Sequence, residues 1–416
     1  MPAWFVVPFT LLLSACSLET SALPPGPQGD GGDGGTTTDA RVEPMDSSPI
    51  PDAPPSDARD SAVPPADTAL DAPPGVSWLM GYGRRKRIVI PGRGLAGPIA
   101  GYPVAVKLRT DDDLRDHAEA DGADIAFTGA DGLSLLPYEI EKYISRDGYL
   151  TAWVKLPRLE AAAETVLYLY YDHPGTASMA DPYATWDDYA VGVWHLTAGT
   201  TRGAYDDSTR AGNHGARASR GQEPRDAGGV AGRSRAFDGS DDSIILGDPG
   251  DGSLDFGTQS FTYSVWVHID AAVGSWDMPW YKGGASAGDP GYDMELGTST
   301  WRGGISDGSM IRTGQFGADP DLDGRWAHLV TVVDRPANAF VLYADGAEVD
   351  RIDITGLGSV DNDSTAYIGR EVYPLLGRVD EVRLHRRALT ADEVAVEHDN
   401  LTDPGFMRVE AEETRP

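Results

Sequence analysis

The run Asp319-Pro-Asp321-Leu-Asp323-Gly324 places carboxylates at alternate positions before a glycine. That spacing aims side-chain oxygens inward around a turn, as a calcium loop does. The twelfth position is Val330, not the bidentate Glu such a loop uses, and a strand pattern follows at once. An acidic hairpin loop therefore competes with calcium at Asp319, Asp321 and Asp323. Asp293 and Glu295 stand two apart in a strand-like run, so both point to one face. Cleavage of a glycosidic bond uses a carboxyl pair, but a solvated strand face also carries such pairs. Trp276, Trp280, Tyr281 and Trp301 fall in or near expected loops rich in Gly. Exposed there, they would form a ligand-binding surface that stacks on sugar rings or grips a protein. Packed down, they would only cover the sheet. Gly284-Ala-Ser286-Ala-Gly288 spells a nucleophile elbow, which must join a strand to a helix. Asp289-Pro290-Gly291 follows instead, so the string reads as a loop. His117, His173, His195, His214, His268, His328, His385 and His398 show no metal-ligand spacing. No catalytic set emerges.

Composition narrows the partners. The chain of 416 residues carries 65 acidic and 34 basic side chains, a net charge of −31. Such a surface repels phosphates, so nucleic acid is excluded as a partner. The single basic cluster, Arg84-Arg85-Lys86-Arg87, reads as a solvated strand face beside acidic neighbours. Cys16 is the only cysteine, which rules out internal disulfides and a thiol nucleophile in the folded part. With 50 Gly, 17 Tyr and 10 Trp, the composition favours strands joined by many turns.

The N-terminus points to a compartment. The apolar run from Trp4 to Ala15 is too short to cross a bilayer, which takes about 20 residues. It fits the core of a signal peptide. Its end, Leu13-Ser14-Ala15-Cys16, resembles the lipobox of bacterial lipoproteins. That resemblance implies a signal peptide over 1–15, lipidation of Cys16, and a membrane anchor at the cell envelope, in the outer membrane or at the cell surface. Residues 17–76 contain no aromatic side chain and are rich in Pro, Asp and Gly. They cannot bury enough apolar surface to order themselves, so 16–76 is expected to be a disordered linker.

Two β-rich stretches follow. In residues 77–182, short β-branched and aromatic runs are bounded by Gly, Pro or Asp, the signature of strands. In Thr165–Tyr171, Val166, Tyr168 and Tyr170 share one face and Leu167, Leu169 and Tyr171 the other, as expected for a central strand of a sandwich. Gly122-Ala-Asp-Ile-Ala-Phe-Thr128, Leu136-Pro-Tyr-Glu-Ile140, Ala152-Trp-Val-Lys-Leu-Pro157, Tyr168-Leu-Tyr-Tyr-Asp172 and Val193-Trp-His-Leu196 resemble the bacterial domain of unknown function 2341, which implies no chemistry.

In residues 183–400, Phe261, Tyr263, Val265, Val267 and Ile269 alternate toward one side, and Asp345-Gly346 marks a hairpin turn. Arg235-Ala-Phe-Asp-Gly239, Phe261-Thr-Tyr-Ser-Val-Trp266, Trp326-Ala-His328, Tyr343-Ala-Asp-Gly346 and Gly377-Arg-Val-Asp-Glu-Val-Arg383 resemble the laminin-G-like, concanavalin-A-like jelly roll. That resemblance implies a structural calcium near Asp380, with Asp206 or Asp207 as further ligands. It also brings to mind jelly-roll glycoside hydrolases with Glu-x-Asp-x-Glu on one strand, of which only Asp293 and Glu295 are present. Residues 401–416 read as a flexible acidic tail.

The expected architecture is all-β, two β-sandwich modules after a disordered stalk, the second a jelly roll. The expected function is a non-catalytic cell-surface lipoprotein that binds carbohydrate or protein through the jelly roll. A glycan-active hydrolase or lyase on that scaffold and a structural envelope component are the alternatives.

Overall fold

The computed structural model describes residues 77–186, 189–197, 205–217, 223–270, 276–284, 288–296, 300–318 and 324–416. Cys16, the linker, and Asp319, Asp321 and Asp323 lie outside the described residues.

The first module contains β1 (Arg84–Ile90), β2 (Ile99–Leu108), α1 (Asp112–His117), β3 (Ala126–Gly129), β4 (Tyr138–Ile144), β5 (Tyr149–Leu159), β6 (Thr165–Tyr171) and α2 (Pro182–Thr185). The second runs through β7 (Ala190–Trp194), β8 (Ala216–Arg217), β9 (Arg225–Gly228), β10 (Arg233–Asp238), β11 (Ile244–Gly247) and β12 (Phe261–Ile269). It continues with β13 (Asp277–Lys282), β14 (Pro290–Leu296), β15 (Thr300–Asp307), β16 (Ile311–Ala318), β17 (Trp326–Asp334), β18 (Ala339–Ala344), β19 (Ala347–Asp353), β20 (Ala366–Ile368) and β21 (Leu376–His385). Helix α3 (Ala391–Thr402) and β22 (Arg408–Thr414) close the chain.

Both modules are antiparallel sandwiches. In the first, sheets β22-β1-β6-β3 and β2-β5-β4 face each other. Leu167, Leu169 and Tyr171 of β6 enter the core between them. Tyr170 turns to the other face and packs with Tyr82. This is the alternation expected for β6, and β6 is a central strand. The second module stacks β19-β18-β17-β12-β21-β10-β9, with β7 added beside β21, against β16-β15-β14-β13-β20-β11-β8. Phe261, Tyr263, Val265, Val267 and Ile269 all join the core between these sheets. The β18–β19 turn carries Asp345 and Gly346 at φ 50° and 78°, left-handed conformations that Asp tolerates and Gly adopts freely.

The C-terminus is not a loose tail. Strand β22 pairs antiparallel with β1 from Arg84↔Thr414 to Val89↔Arg408, so a segment after the second module completes the first. The basic cluster explains the pairing. Arg85 meets Glu413 at 2.6 Å and Arg87 meets Glu410 at 2.8 Å, while Arg84 pairs with Glu412. Two opposite charge runs, each unfavourable alone, neutralise each other across the strands. Nor is the basic run a simple solvated face. Arg85 and Lys86 are buried, Arg85 over the Trp78 and Tyr168 rings and Lys86 against Asp111 and Asp113.

The modules interlock. Helix α3 starts with a capping box between Thr390 and Glu393, and its C-terminal end lies against β2. There the Asn400 amide accepts from Ala105 N–H at 2.6 Å and donates to Ala105 C=O at 3.1 Å. Lys107 Nζ donates to Leu401 C=O at 2.7 Å. Trp153 of the first module packs in one apolar cluster with Val193 and Trp266 of the second.

Candidate functional site

The outer face of the β13–β16 half of its sheet forms a cleft of about 390 Å³. Strand alternation decides what lines it. On β14, Tyr292 and Met294 point into the core, so Asp293 and Glu295 face the cleft. On β15, Trp301 and Ile305 point inward and Arg302 outward. Arg302 stands opposite Glu295 in the β14–β15 register and pairs with it at 3.3 Å. Burial pushes the Glu295 carboxyl above its usual range, against the pull of Arg302.

Of the four aromatic candidates, the structure brings two to the cleft. Trp276 is 38% exposed and stacks on the Arg302 guanidinium at 4.5 Å. Tyr281 lies against Arg370 at 3.8 Å. Trp280 and Trp301 are corrected: they sit in strands β13 and β15, fully buried in the sandwich core. Neighbours on a strand face opposite ways, so Trp280 and Tyr281 part company. Trp276 has φ 83°, a conformation that costs a bulky side chain about 1–3 kcal/mol and tends to occur at functional sites. Arg302 and Arg370 also line the cleft. A hairpin register centred on the turn after Leu296 could have paired Arg302 with Glu295; nothing local marked Arg370.

Among the described residues, Asp206, Asp207 and Asp380 form no metal-binding group with one another. Asp207 is buried, and its oxygens accept from the N–H groups of Val193, Thr209 and Asn213 and the Thr209 hydroxyl, at 2.9–3.0 Å. Asp380 accepts from Val230, Ala231 and Glu381 N–H. Asp206 faces His214 at 3.7 Å. Among the described residues, the group that could hold a metal ion is a different one: Glu141, His195 and Glu381, with ligand atoms within 4.8 Å of one another.

That group lies between the modules and is already bonded internally. His195 Nδ1 lies 2.7 Å from Glu381 and Nε2 3.3 Å from Glu139. Trp153 and Thr197 donate to Glu141 at 3.0 and 2.7 Å, and Trp186 and Ser208 donate to Glu139 at 2.8 Å each. Arg383 donates to Glu381 at 2.7 Å and Glu397 at 3.1 Å, beneath the Trp153 ring at 4.2 Å. Burial opposes the charge on His195, but Glu381 and Glu139 outweigh it and lift its pKa well above 6.5. Burial and the Glu381 charge push Glu141 up to about 7, and the same two causes raise Asp380. Burial works against Glu397 too, yet Arg383 holds it down at about 2.

The pH consequence follows by linkage. His195, Glu141 and Asp380 have raised pKa values, so the stability they contribute is complete below their unfolded values and is lost as pH rises through the folded ones. Glu139, Glu381 and Glu397 are lowered; their contribution is present above the usual carboxylate range and fades only in acid. Stability is therefore expected to fall from about pH 4.5 to about pH 7 as Glu141 ionises, and to fall further above pH 6.5 as His195 loses its proton. Glu141→Gln keeps an acceptor for Trp153 and removes one raised carboxylate, so it should flatten that slope. Thermal melts of both chains across the range measure it; parallel slopes would contradict the assignment.

Residues 238–395 match the concanavalin A-like lectin/glucanases superfamily, and residues 121–197 match a domain of unknown function, DUF2341. A search of curated proteins finds no match. Among solved structures, the binding domain of Paraclostridial Mosquitocidal Protein 1 is similar at TM-score 0.42 and 16% identity, over 52% of this chain and 53% of that one. The Botulinum neurotoxin serotype D binding domain is similar at TM-score 0.41 and 12% identity, over 52% of each chain. The chain spans about half the length of these structures.

Proposed function

We propose that this chain is a non-catalytic, lipid-anchored surface protein that binds carbohydrate through the cleft of its concanavalin A-like module. The observation that carries the reading is Trp276, an indole held exposed at a costly backbone angle beside Tyr281 and the polar groups of Asp293, Glu295 and Arg302. An apolar ring face next to fixed donors and acceptors is what a sugar ring with its hydroxyls requires. Anchoring rests on the lipobox-like end of the leader at Cys16. Binding is assigned to the cleft alone, since the other cluster of charged groups is buried between the modules.

Screening the full chain against a glycan array tests the proposal, with Trp276→Gly as the discriminating variant. Glycine relaxes the left-handed position, so the variant should melt at or near the parent's temperature. Its binding should weaken by about 30-fold, the loss typical of an aromatic anchor worth ~2 kcal/mol. Unchanged affinity would remove Trp276 from the site. Measurable polysaccharide turnover that disappears in Glu295→Gln would replace binding with hydrolysis, a role the raised Glu295 carboxyl would suit.

A further inference from the structure

We propose that the cleft selects acidic glycans, with the Arg370 guanidinium taking a carboxylate or sulfate group of the sugar. This rests on the glycan-binding reading and specifies its ligand class.

The cleft's two arginines are used differently. Arg302 is committed to Glu295 on the neighbouring strand and to the Trp276 ring. Arg370 is not committed to an acid. Among the described residues no carboxylate lies within ion-pair distance of it, and its one polar side-chain contact is the Met278 sulfur at 4.0 Å. In a chain with 65 acidic side chains against 34 basic ones, nearby carboxylates are plentiful, yet this cation faces a cavity.

It is also fixed in place. The guanidinium lies 3.8 Å from the Tyr281 ring centroid and 5.1 Å from that of Tyr373. A tight turn supports it, with Tyr373 N–H bonded to Arg370 C=O at 2.9 Å. Ring contact uses the face of the guanidinium and leaves the in-plane N–H donors available. Those donors form the fork that grips a carboxylate or sulfate two bonds at a time. Little ordering entropy remains to be lost on binding, because the side chain is already held. Three carboxylates line the cleft, Asp289, Asp293 and Glu295, and Arg302 offsets the last of them, which lessens their opposition to an anion. A sugar acid seated on Trp276 would thus meet one available cation on the Tyr281 side and hydroxyl acceptors on β14.

The test is a titration of the full chain with matched oligosaccharides: polyuronate, sulfated and neutral. Acidic ligands should bind about 10- to 100-fold more tightly than neutral ones, the range for hydrogen bonds to a charged group. The preference should shrink with added salt. Arg370→Gln should erase it while lowering the melting temperature only slightly, since Arg370 makes no ion pair and would lose only its contacts with the Tyr281 and Tyr373 rings. Arg370→Lys should restore only part, because an ammonium lacks the planar fork. The polyuronate and sulfated arms distinguish carboxylate from sulfate as the source of the charge. Neutral and acidic sugars binding equally, or an acid preference that survives Arg370→Gln, would overturn the inference and leave glycan binding standing. No binding in any arm would take down the glycan reading and this inference with it.

Discussion

Truncating the chain after Asp403 is expected to cost at least about 3–5 kcal/mol, although it removes only the end of the sequence. Phe406 alone accounts for that figure: it is 1% exposed in the first module's core, and emptying a buried Phe site costs about that much. Losing β22 adds to it. Strand β1 becomes an edge, and Arg84, Arg85 and Arg87 lose Glu412, Glu413 and Glu410. The Tyr171 hydroxyl loses its bond to Glu412, 2.8 Å long. Urea unfolding followed by tryptophan fluorescence measures the loss. The three ion pairs are partly exposed and contribute little each, so Glu410→Gln/Glu413→Gln should cost under about 1 kcal/mol. A truncated chain as stable as the parent would mean that β22 does not hold the first module.

Arg383→Met is the second large effect, at about 3–5 kcal/mol. Removing one member of a buried ionic set leaves the others uncompensated. Here Glu381 and Glu397 would lose their shared cation, and the Trp153 and Trp186 rings would lose the group they cover. Adding Glu381→Gln to Arg383→Met should recover part of the loss, because one stranded charge is then neutral. A double-mutant cycle in urea reads the coupling. If the double variant falls by the sum of the single losses, the pair is not coupled and the cluster does not hold the modules together through Arg383. The cluster sits where Glu139 and Glu141 of the first module meet His195, Glu381 and Arg383 of the second, so these losses report on docking of the modules as well as on folding.

Local patterning carried much of the architecture. The alternation in Phe261–Ile269 and in Thr165–Tyr171, the Asp345-Gly346 turn and the apolar strands could be read because strand geometry repeats every two residues. Strands β15 and β16 leave a weak local signal for a physical reason: both carry glycine, which weakens a strand pattern. A Cβ on Gly303 would lie 2.6 Å from Thr331, and one on Gly314 2.5 Å from Leu342. The glycines there serve close packing of one sheet on the other, a demand that no local window contains.

From the amino-acid order alone came the two sandwich modules, the lone cysteine after an apolar run, the excess of acidic side chains, and Asp293 and Glu295 on one strand face. Folding decided the rest. It sorted Trp276 and Tyr281 from Trp280 and Trp301, because the face a strand turns outward is set by what packs beneath it. It brought Arg370 beside Tyr281, and His195 between Glu139 and Glu381, across separations in sequence that no spacing rule spans. It turned the acidic C-terminal run into a strand, since that run pairs with β1 and is anchored by Phe406 in the first module's core.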